Sequence, residues 1–314
     1  MRAVFLGTPE FAVNTLEAML AAGHEVAEVV TQPDRPQGRR QELIPSPVKA
    51  AALRHGIAVW QPERVRRPEA VEHLRALAPD VMVVVGYGQI IPQSVIDIPR
   101  YGIVNVHASL LPELRGAAPI QWSVARGFRR TGVTTMQIDA GLDTGGILLE
   151  RDTEIAQDET APELSRRLAV LGADLLVETL AGIAAGTLSA TPQDSAKATF
   201  APILKKEDGR VDWSLSADAI HNLIRGLQPW PGAWTSFRGQ SLHLWRSRLA
   251  TNRPVVSGGH LAPGALLCQG GVFAIGGDGA ALELLEVQLE GRKRMAADVF
   301  ANGHRITQND LLGA

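Results

Sequence analysis

The sequence predicts an α/β chain in two bodies: a Rossmann-like, doubly wound, mostly parallel sheet domain, followed by a small antiparallel β-barrel. Three observations carry this. Short β-branched apolar runs alternate with helix-length amphipathic segments over residues 1–185. Residues 186–204 lose clear periodicity and are polar and turn-rich, as an interdomain linker is. From Lys205 onward, short alternating strands are separated by glycine-rich turns.

In chain order, RAVFLG reads as a strand running into a Gly-Thr-Pro turn, and FAVNTLEAMLAAG as a helix stopped at Gly23. VAEVV is the second strand. SPVKAAALRHG carries full helix punctuation: Ser46 as N-cap, Pro47 at the first helical position and Gly56 as terminator. The alternation continues through a strand near AVW, a helix EAVEHLRALA, the strands VMVVVG and IVNV, a helix PIQWSVARG, the strand VTTMQI and a closing helix from about Ala161 to Ala185. In the second body, Ser216 caps a helix whose Ala219, Ile220, Leu223, Ile224 and Leu227 form an apolar stripe of the kind that faces a core. The opening GTPEF lacks Gly-x-Gly-x-x-Gly spacing, and the second strand runs into Thr31-Gln32-Pro33 with no acidic residue to hold a ribose, so a nicotinamide cofactor is not expected.

Composition sets the outer limits. With 314 residues, two domains of ordinary size are expected, and 45% hydrophobic with 20% charged residues fits a globular chain without a long apolar span. MRAVFLG enters a strand pattern at once, so no secretory leader and a cytoplasmic location are expected. The single cysteine, Cys268, makes neither an internal disulfide nor a cysteine-based zinc site, and is expected as a core or barrel thiol. Net charge is −2, but from Lys205 onward 12 Lys+Arg stand against 10 Asp+Glu, a mild excess compatible with a polyanionic partner.

The chemistry concentrates in residues 105–146. Asn105 and His107 close the IVNV strand two positions apart, so both face the same side of the sheet. There Asn105 can offer an N–H to a developing oxyanion beside His107, a proton carrier near neutral pH. Asp143, in the glycine-flanked LDTGG loop, can bring a carboxylate to the ring. An isolated Asn-x-His is more often an ordinary satisfied pair. What raises it is the irregular SLLP and LRGAAP run that follows, beyond the C-terminal end of a strand, where open α/β sheets bind ligands.

At Asn-x-His, SLLP and the downstream glycine-flanked Asp, the chain resembles the folate-dependent formyltransferase family, and the resemblance extends over essentially the whole length. It implies a catalytic trio of Asn105, His107 and Asp143, with no metal. It implies that Ser109, Leu110, Leu111 and Pro112 line the site of 10-formyltetrahydrofolate, and that Tyr87, Gly88, Gln89, Ile90 and Ile91, with Asp139, Ala140, Gly141 and Leu142, wall the pterin pocket. It also implies that residues 205–314 form an OB-like barrel.

Residues 32–49, QPDRPQGRRQELIPSPVK, form a long proline-bounded insertion expected to have no structure of its own, and loops of that kind tend to be functional. Its PDRPxGR…PSPVK form is similar to that of tRNA-formylating members of the family. Arg35, Arg39 and Arg40 then become candidates for tRNA contact, with Lys205, Lys206, Arg210, Arg246, Arg248, Arg292, Lys293 and Arg294 as a possible phosphate track. The chain departs from that pattern at Gln41-Glu42, where two lysines are frequent, and at Glu113, where an arginine is; both changes weaken attraction to phosphate. The reading is formyl transfer to the amino group of methionine on initiator tRNA, at the start of translation, by a monomer. Sugar-nucleotide and glycinamide-ribonucleotide formylation, formyl-folate hydrolysis and a non-catalytic RNA-binding scaffold are the alternatives.

Overall fold

The computed structural model describes residues 1–37, 42–250, 261–307 and 309–313. β1 (Arg2–Gly7) is buried along its last five residues, because an all-apolar strand is stable only with both faces covered. α1 (Phe11–Ala21) follows and ends before Gly23, then β2 (Glu25–Val30) pairs with β1 in parallel. In α2 (Pro47–Arg54) the Ser46 hydroxyl accepts from the Lys49 N–H (3.1 Å), with Pro47 in the first turn, as its punctuation requires. β5 (Val59–Trp60), α3 (Pro68–Ala76), β6 (Val81–Val85), α4 (Gln93–Ile96) and β7 (Ile103–His107) continue the alternation.

With β9 (Arg130–Gln137) and β10 (Ile147–Glu154), the sheet order is β10-β9-β7-β6-β1-β2-β5. Five strands from β5 to β7 are parallel, and the chain turns from one flank to the other between β1 and β6, the crevice where such sheets take ligands. Across that crevice the Thr8 hydroxyl donates to the Tyr87 carbonyl (3.2 Å). After the two-residue β8 (Arg115–Gly116) and α5 (Pro119–Ala125), β9 (Arg130–Gln137) runs antiparallel to β7, so the parallel reading holds for the centre of the sheet and not for this flank. β10 (Ile147–Glu154) has no counterpart among the expected elements. α6 (Ala161–Ala185) passes over the face opposite His107, where a side chain on Gly172 would come within 2.9 Å of Val106. It is long and apolar enough to cross a membrane by length and composition, unlike anything expected from the run lengths, and half of its most apolar stretch is buried in the protein.

Two further expectations change. The insertion at 32–49 is not structureless: β3 (Arg35–Gln37) and β4 (Glu42–Ile44) pair as an antiparallel hairpin, Arg35 opposite Ile44. At its base, Gln61 donates to Asp34 Oδ1 (2.8 Å) and accepts from Lys49 Nζ (2.7 Å), while Lys49 pairs with Asp34 and holds its carboxyl below the usual carboxylate range. Arg39, Arg40 and Gln41 lie outside the described residues. The stretch 186–204 is not a free tether either, since β11 (Phe200–Ala201) pairs with β8.

The chain divides into two compact units: Met1–Pro119 with Thr131–Thr153 and Ser165–Pro202, and Ile203–Ala314 with Ile120–Arg130 and Glu154–Leu164. In the second unit α7 (Ala217–Gly226), capped by Ser216, buries Ile220 and Ile224 of its apolar stripe, with Leu227 just beyond it and Ala219 and Leu223 half-buried, while His221, Asn222 and Arg225 are buried as well. The physical reason is the 154–164 segment: Arg225 donates to the carbonyls of Ala156 (3.4 Å) and Glu159 (2.8 Å), and His221 bonds the Gln157 carbonyl (3.2 Å).

β12 (Ala233–Phe237), β13 (Gln240–Leu249), β14 (Leu266–Cys268), β15 (Val272–Ile275) and β16 (Ala281–Leu289) form an antiparallel sheet in the order β12-β13-β16-β15-β14, with β17 (Met295–Ala296) beside β16 and α8 (Ala297–His304) after it. Its core is Trp213, Phe237, Leu242, Leu244, Leu282 and Phe300 with their neighbours, each large side chain contributing about 1.5–3 kcal/mol by burial. Single bridges from Leu312 to Phe237 and from Leu311 to Ala265 touch the two edges, and no continuous ladder closes the sheet among the described residues. Cys268 is exposed on β14, not a core thiol, because Leu266 and Leu267 take the buried positions of that short strand.

Candidate active site

Strand periodicity puts Asn105 and His107 on one face at the end of β7, and both are buried. Thr134 lies directly opposite His107 on β9 and therefore shares that face. Its hydroxyl donates to the Ser109 carbonyl (2.7 Å) and accepts from the Leu111 N–H (3.1 Å), which pins the SLLP turn to the sheet. Ser109 donates its own hydroxyl to the Glu113 carbonyl (2.6 Å), closing the turn.

His107 is oriented by a backbone carbonyl, not by the carboxylate. Its Nε2 bonds the Leu114 oxygen (3.1 Å), so in the neutral ring the proton sits on Nε2 and the lone pair on Nδ1. Asp143 Oδ2 stands 3.8 Å from Nδ1, beyond a hydrogen bond and within strong charge attraction. The carboxylate is itself held by the Gly116 N–H (2.8 Å). Gly116 adopts φ +121°, and a Cβ there would meet the Ala201 carbonyl at 2.7 Å; only glycine fits between β11 and the carboxylate.

The other predicted site residues divide. Tyr87 and Ile91 are core side chains, and burial pushes the Tyr87 hydroxyl pKa well up. Gln89 accepts from the Val65 N–H (2.8 Å) and donates to Pro62 (3.2 Å), so it fastens a neighbouring turn. Gly88 and the highly exposed Ile90 are left facing outward. In the 139–142 loop, Asp139 caps its own turn by accepting from the Gly141 N–H (3.0 Å) and the Thr144 hydroxyl (2.7 Å), leaving Ala140, Gly141 and Leu142 exposed.

Of the basic candidates, Arg35, Lys205, Lys206, Arg210, Arg246, Arg292 and Lys293 are exposed. Arg248 donates to Glu283 (2.6 Å), and Arg294 pairs with Glu286 and lies over the Trp245 ring at 5.1 Å. Sequence reasoning missed Thr134, Gly116, Thr199 and Gln193. The Leu114 N–H donates to the Thr199 hydroxyl (2.9 Å), a bond across 85 positions that no local pattern signals.

An amide, an imidazole and a carboxylate converging at the strand ends of a Rossmann-like sheet suit group transfer at a carbonyl. Residues 1–180 match the family model described as formyl transferase, and residues 203–305 the one described as formyl transferase, C-terminal domain. The chain belongs to the formyl transferase family. It is 64% identical over 313 residues to the methionyl-tRNA formyltransferase of Solibacter usitatus, covering 100% of this chain and 99% of that protein. It is 53% identical to that of Koribacter versatilis, over 99% of this chain and 98% of the relative.

Among solved structures, the N-formyltransferase of Helicobacter canadensis, in complex with folinic acid and dTDP-3-aminofucose, superimposes with a TM-score of 0.66 at 18% identity, over 90% of this chain and 98% of that one. HypX of Aquifex aeolicus with tetrahydrofolic acid gives 0.64 at 16% identity, over 96% of this chain and 47% of its own. At such identities the likeness is one of fold.

Proposed function

We infer that the chain does what its full-length relatives are named for: it transfers the formyl group of 10-formyltetrahydrofolate to the free amino group of methionine esterified to initiator tRNA. The observation that carries the reading is 64% identity over the entire chain. The amine nitrogen attacks the formyl carbon, the bond from that carbon to folate N10 breaks, and one proton passes from the amine to N10. We assign Asn105 the role of donor to the oxyanion of the tetrahedral intermediate. His107 carries the proton on Nδ1, since Leu114 already holds Nε2, and Asp143 balances the charge of the protonated ring. Ser109, Leu110, Leu111 and Pro112 with Gly88, Ile90 and the 139–142 loop are assigned to the folate donor; Tyr87, Gln89 and Ile91 shape that wall from behind.

In this reading residues 1–185 carry the chemistry, 186–204 connect, and 205–314 hold tRNA on an OB-like barrel whose edges the last residues approach. The segments Ile120–Arg130 and Glu154–Leu164 cluster with the second unit and are assigned with it to tRNA binding. Arg35, Arg39, Arg40 and the exposed bases Lys205, Lys206, Arg210, Arg246, Arg292 and Lys293 meet backbone phosphates; Arg248 and Arg294, each already paired with a carboxylate, contribute less. The protein acts as a cytoplasmic monomer. The test is formyl transfer to methionyl-tRNA against free methionine and amino-sugar nucleotides, with KM for the tRNA followed between about 50 and 200 mM salt. Replacing Arg246, Arg292 and Lys293 by alanine should raise that KM and flatten its salt slope by roughly one for each phosphate no longer neutralised. Faster transfer to the sugar amine would sink the reading.

A further inference from the structure

One side chain in the 186–204 stretch has all of its hydrogen-bonding capacity committed beside Asp143. Gln193 Nε2 donates to the carbonyls of Asp143 (2.9 Å) and Gly145 (2.7 Å), and its Oε1 accepts from Arg115 Nε (3.1 Å) and from a terminal nitrogen of the same guanidinium (2.7 Å). Two donors and two acceptor sites are all that an amide side chain has. The chemistry also fixes which end is which, because two carbonyls can only accept and a guanidinium can only donate. Arg115 is 4% exposed, so its charge is itself anchored.

The bonds matter because Asp143 is a non-glycine residue at φ +52°, in the left-handed region that few side-chain-bearing residues occupy, and the Gln193 amide holds the backbone there. Holding the Asp143 and Gly145 carbonyls sets the direction in which the Asp143 carboxylate leaves the chain, toward the Gly116 N–H and His107 Nδ1. Glutamate, methionine or leucine would fill similar space without offering N–H groups to the Asp143 and Gly145 carbonyls.

We propose that Gln193 is a positioning residue that fixes the Asp143 carboxylate against His107, with Arg115 as its anchor. This rests on the assignment of Asp143 to catalysis. Gln193→Ala should lower kcat by an amount approaching the roughly 10²-fold that a misplacement of about 1 Å causes, while KM for 10-formyltetrahydrofolate and for methionyl-tRNA hardly moves.

Gln193→Glu is the sharper variant. It keeps the size and the acceptor for Arg115 but turns an oxygen toward the two carbonyls. At pH 8 its kcat should fall as far as that of the alanine variant. Should the alanine variant melt below assay temperature, the glutamate variant decides alone. Wild-type kcat in Gln193→Glu at pH 8 overturns the proposal. Asp143→Asn is assayed alongside. If it turns over normally, the catalytic assignment falls; if it is inactive while Gln193→Glu is normal, the positioning role alone falls.

Discussion

Each unit buries a histidine beside a carbonyl and a carboxylate, and the two differ in what is left unspent. In the second unit His221 has both ring nitrogens engaged: Nδ1 with the Ser247 hydroxyl (2.9 Å), Nε2 with the Gln157 carbonyl (3.2 Å) and with Asp158 at 3.2 Å. In the first unit, among the described residues, His107 hydrogen-bonds through Nε2 alone, and its Nδ1 faces Asp143 at 3.8 Å on the same side of the strand as the Asn105 amide. Serine, histidine and aspartate in the second unit resemble a nucleophilic constellation by residue type. There, however, Nε2 also binds the backbone carbonyl that ties the 154–164 segment to α7. A ring with both nitrogens engaged stabilises its unit; a ring with one nitrogen unbonded can carry a proton.

The largest effect expected from this contrast is on rate. His107→Ala should lose about 10² to 10⁴ in kcat with a melting temperature close to the parent's, and Asp143→Ala should follow it, because acid-base and oxyanion groups act at that scale. Near-normal turnover by either variant would place His107 with His221 as a structural residue.

Next in size, His221→Ala should leave kcat per folded molecule near the parent value. It should lower stability by about 1–3 kcal/mol, the cost of leaving the Gln157 carbonyl and the Ser247 hydroxyl without their partner. Denaturant melts of both alanine variants measure the difference, and a rate loss without a stability loss at His221 would dissolve the contrast.

A smaller effect is expected with pH. Burial lowers the His221 pKa, against weaker opposing pulls from the Gln157 carbonyl and from Asp158 and Asp218, while Arg225 adds to the lowering. The folded state therefore holds this ring neutral more firmly than the unfolded chain does. Its contribution is fully present above the unfolded value of about 6.5, and is lost as pH falls through that value toward the folded one. The melting temperature should drop between pH 7.5 and 5.5, and His221→Gln should reduce that drop. Parallel curves for the two proteins would count against the assignment. The mildest change, Ser247→Ala, should cost about 1 kcal/mol, since Nδ1 loses one neutral hydrogen bond.

Much of the site was legible because its signals are local. Period-2 spacing at the end of an apolar strand places Asn105 and His107 on one face before any partner is known, and glycine neighbours mark the loop that carries Asp143. The Ser46 cap of α2, the stops at Gly23 and Gly56, and the stripe on α7 were readable for the same reason: each depends on residues within two turns of helix. The hairpin inside residues 32–49 escaped notice because prolines and arginines with only short apolar stretches give no alternation to read, and its support comes from Asp34, Lys49 and Gln61 outside it.

Residue type and short-range spacing were thus enough for the alternating sheet, the helix ends and the identity of the three candidate chemical groups, since those follow from backbone geometry over a few residues. The antiparallel entry of β9 brings Thr134 opposite His107. The return of residues 193–201 sets Gln193 behind Asp143 and Thr199 beside Leu114, and the packing of 154–164 on α7 consumes both nitrogens of His221. These depend on strand register and on backbone carbonyls and amides, which every residue carries alike and no side-chain pattern announces. The difference between an imidazole that holds a fold together and one that can carry a proton therefore appears only when the whole chain has packed.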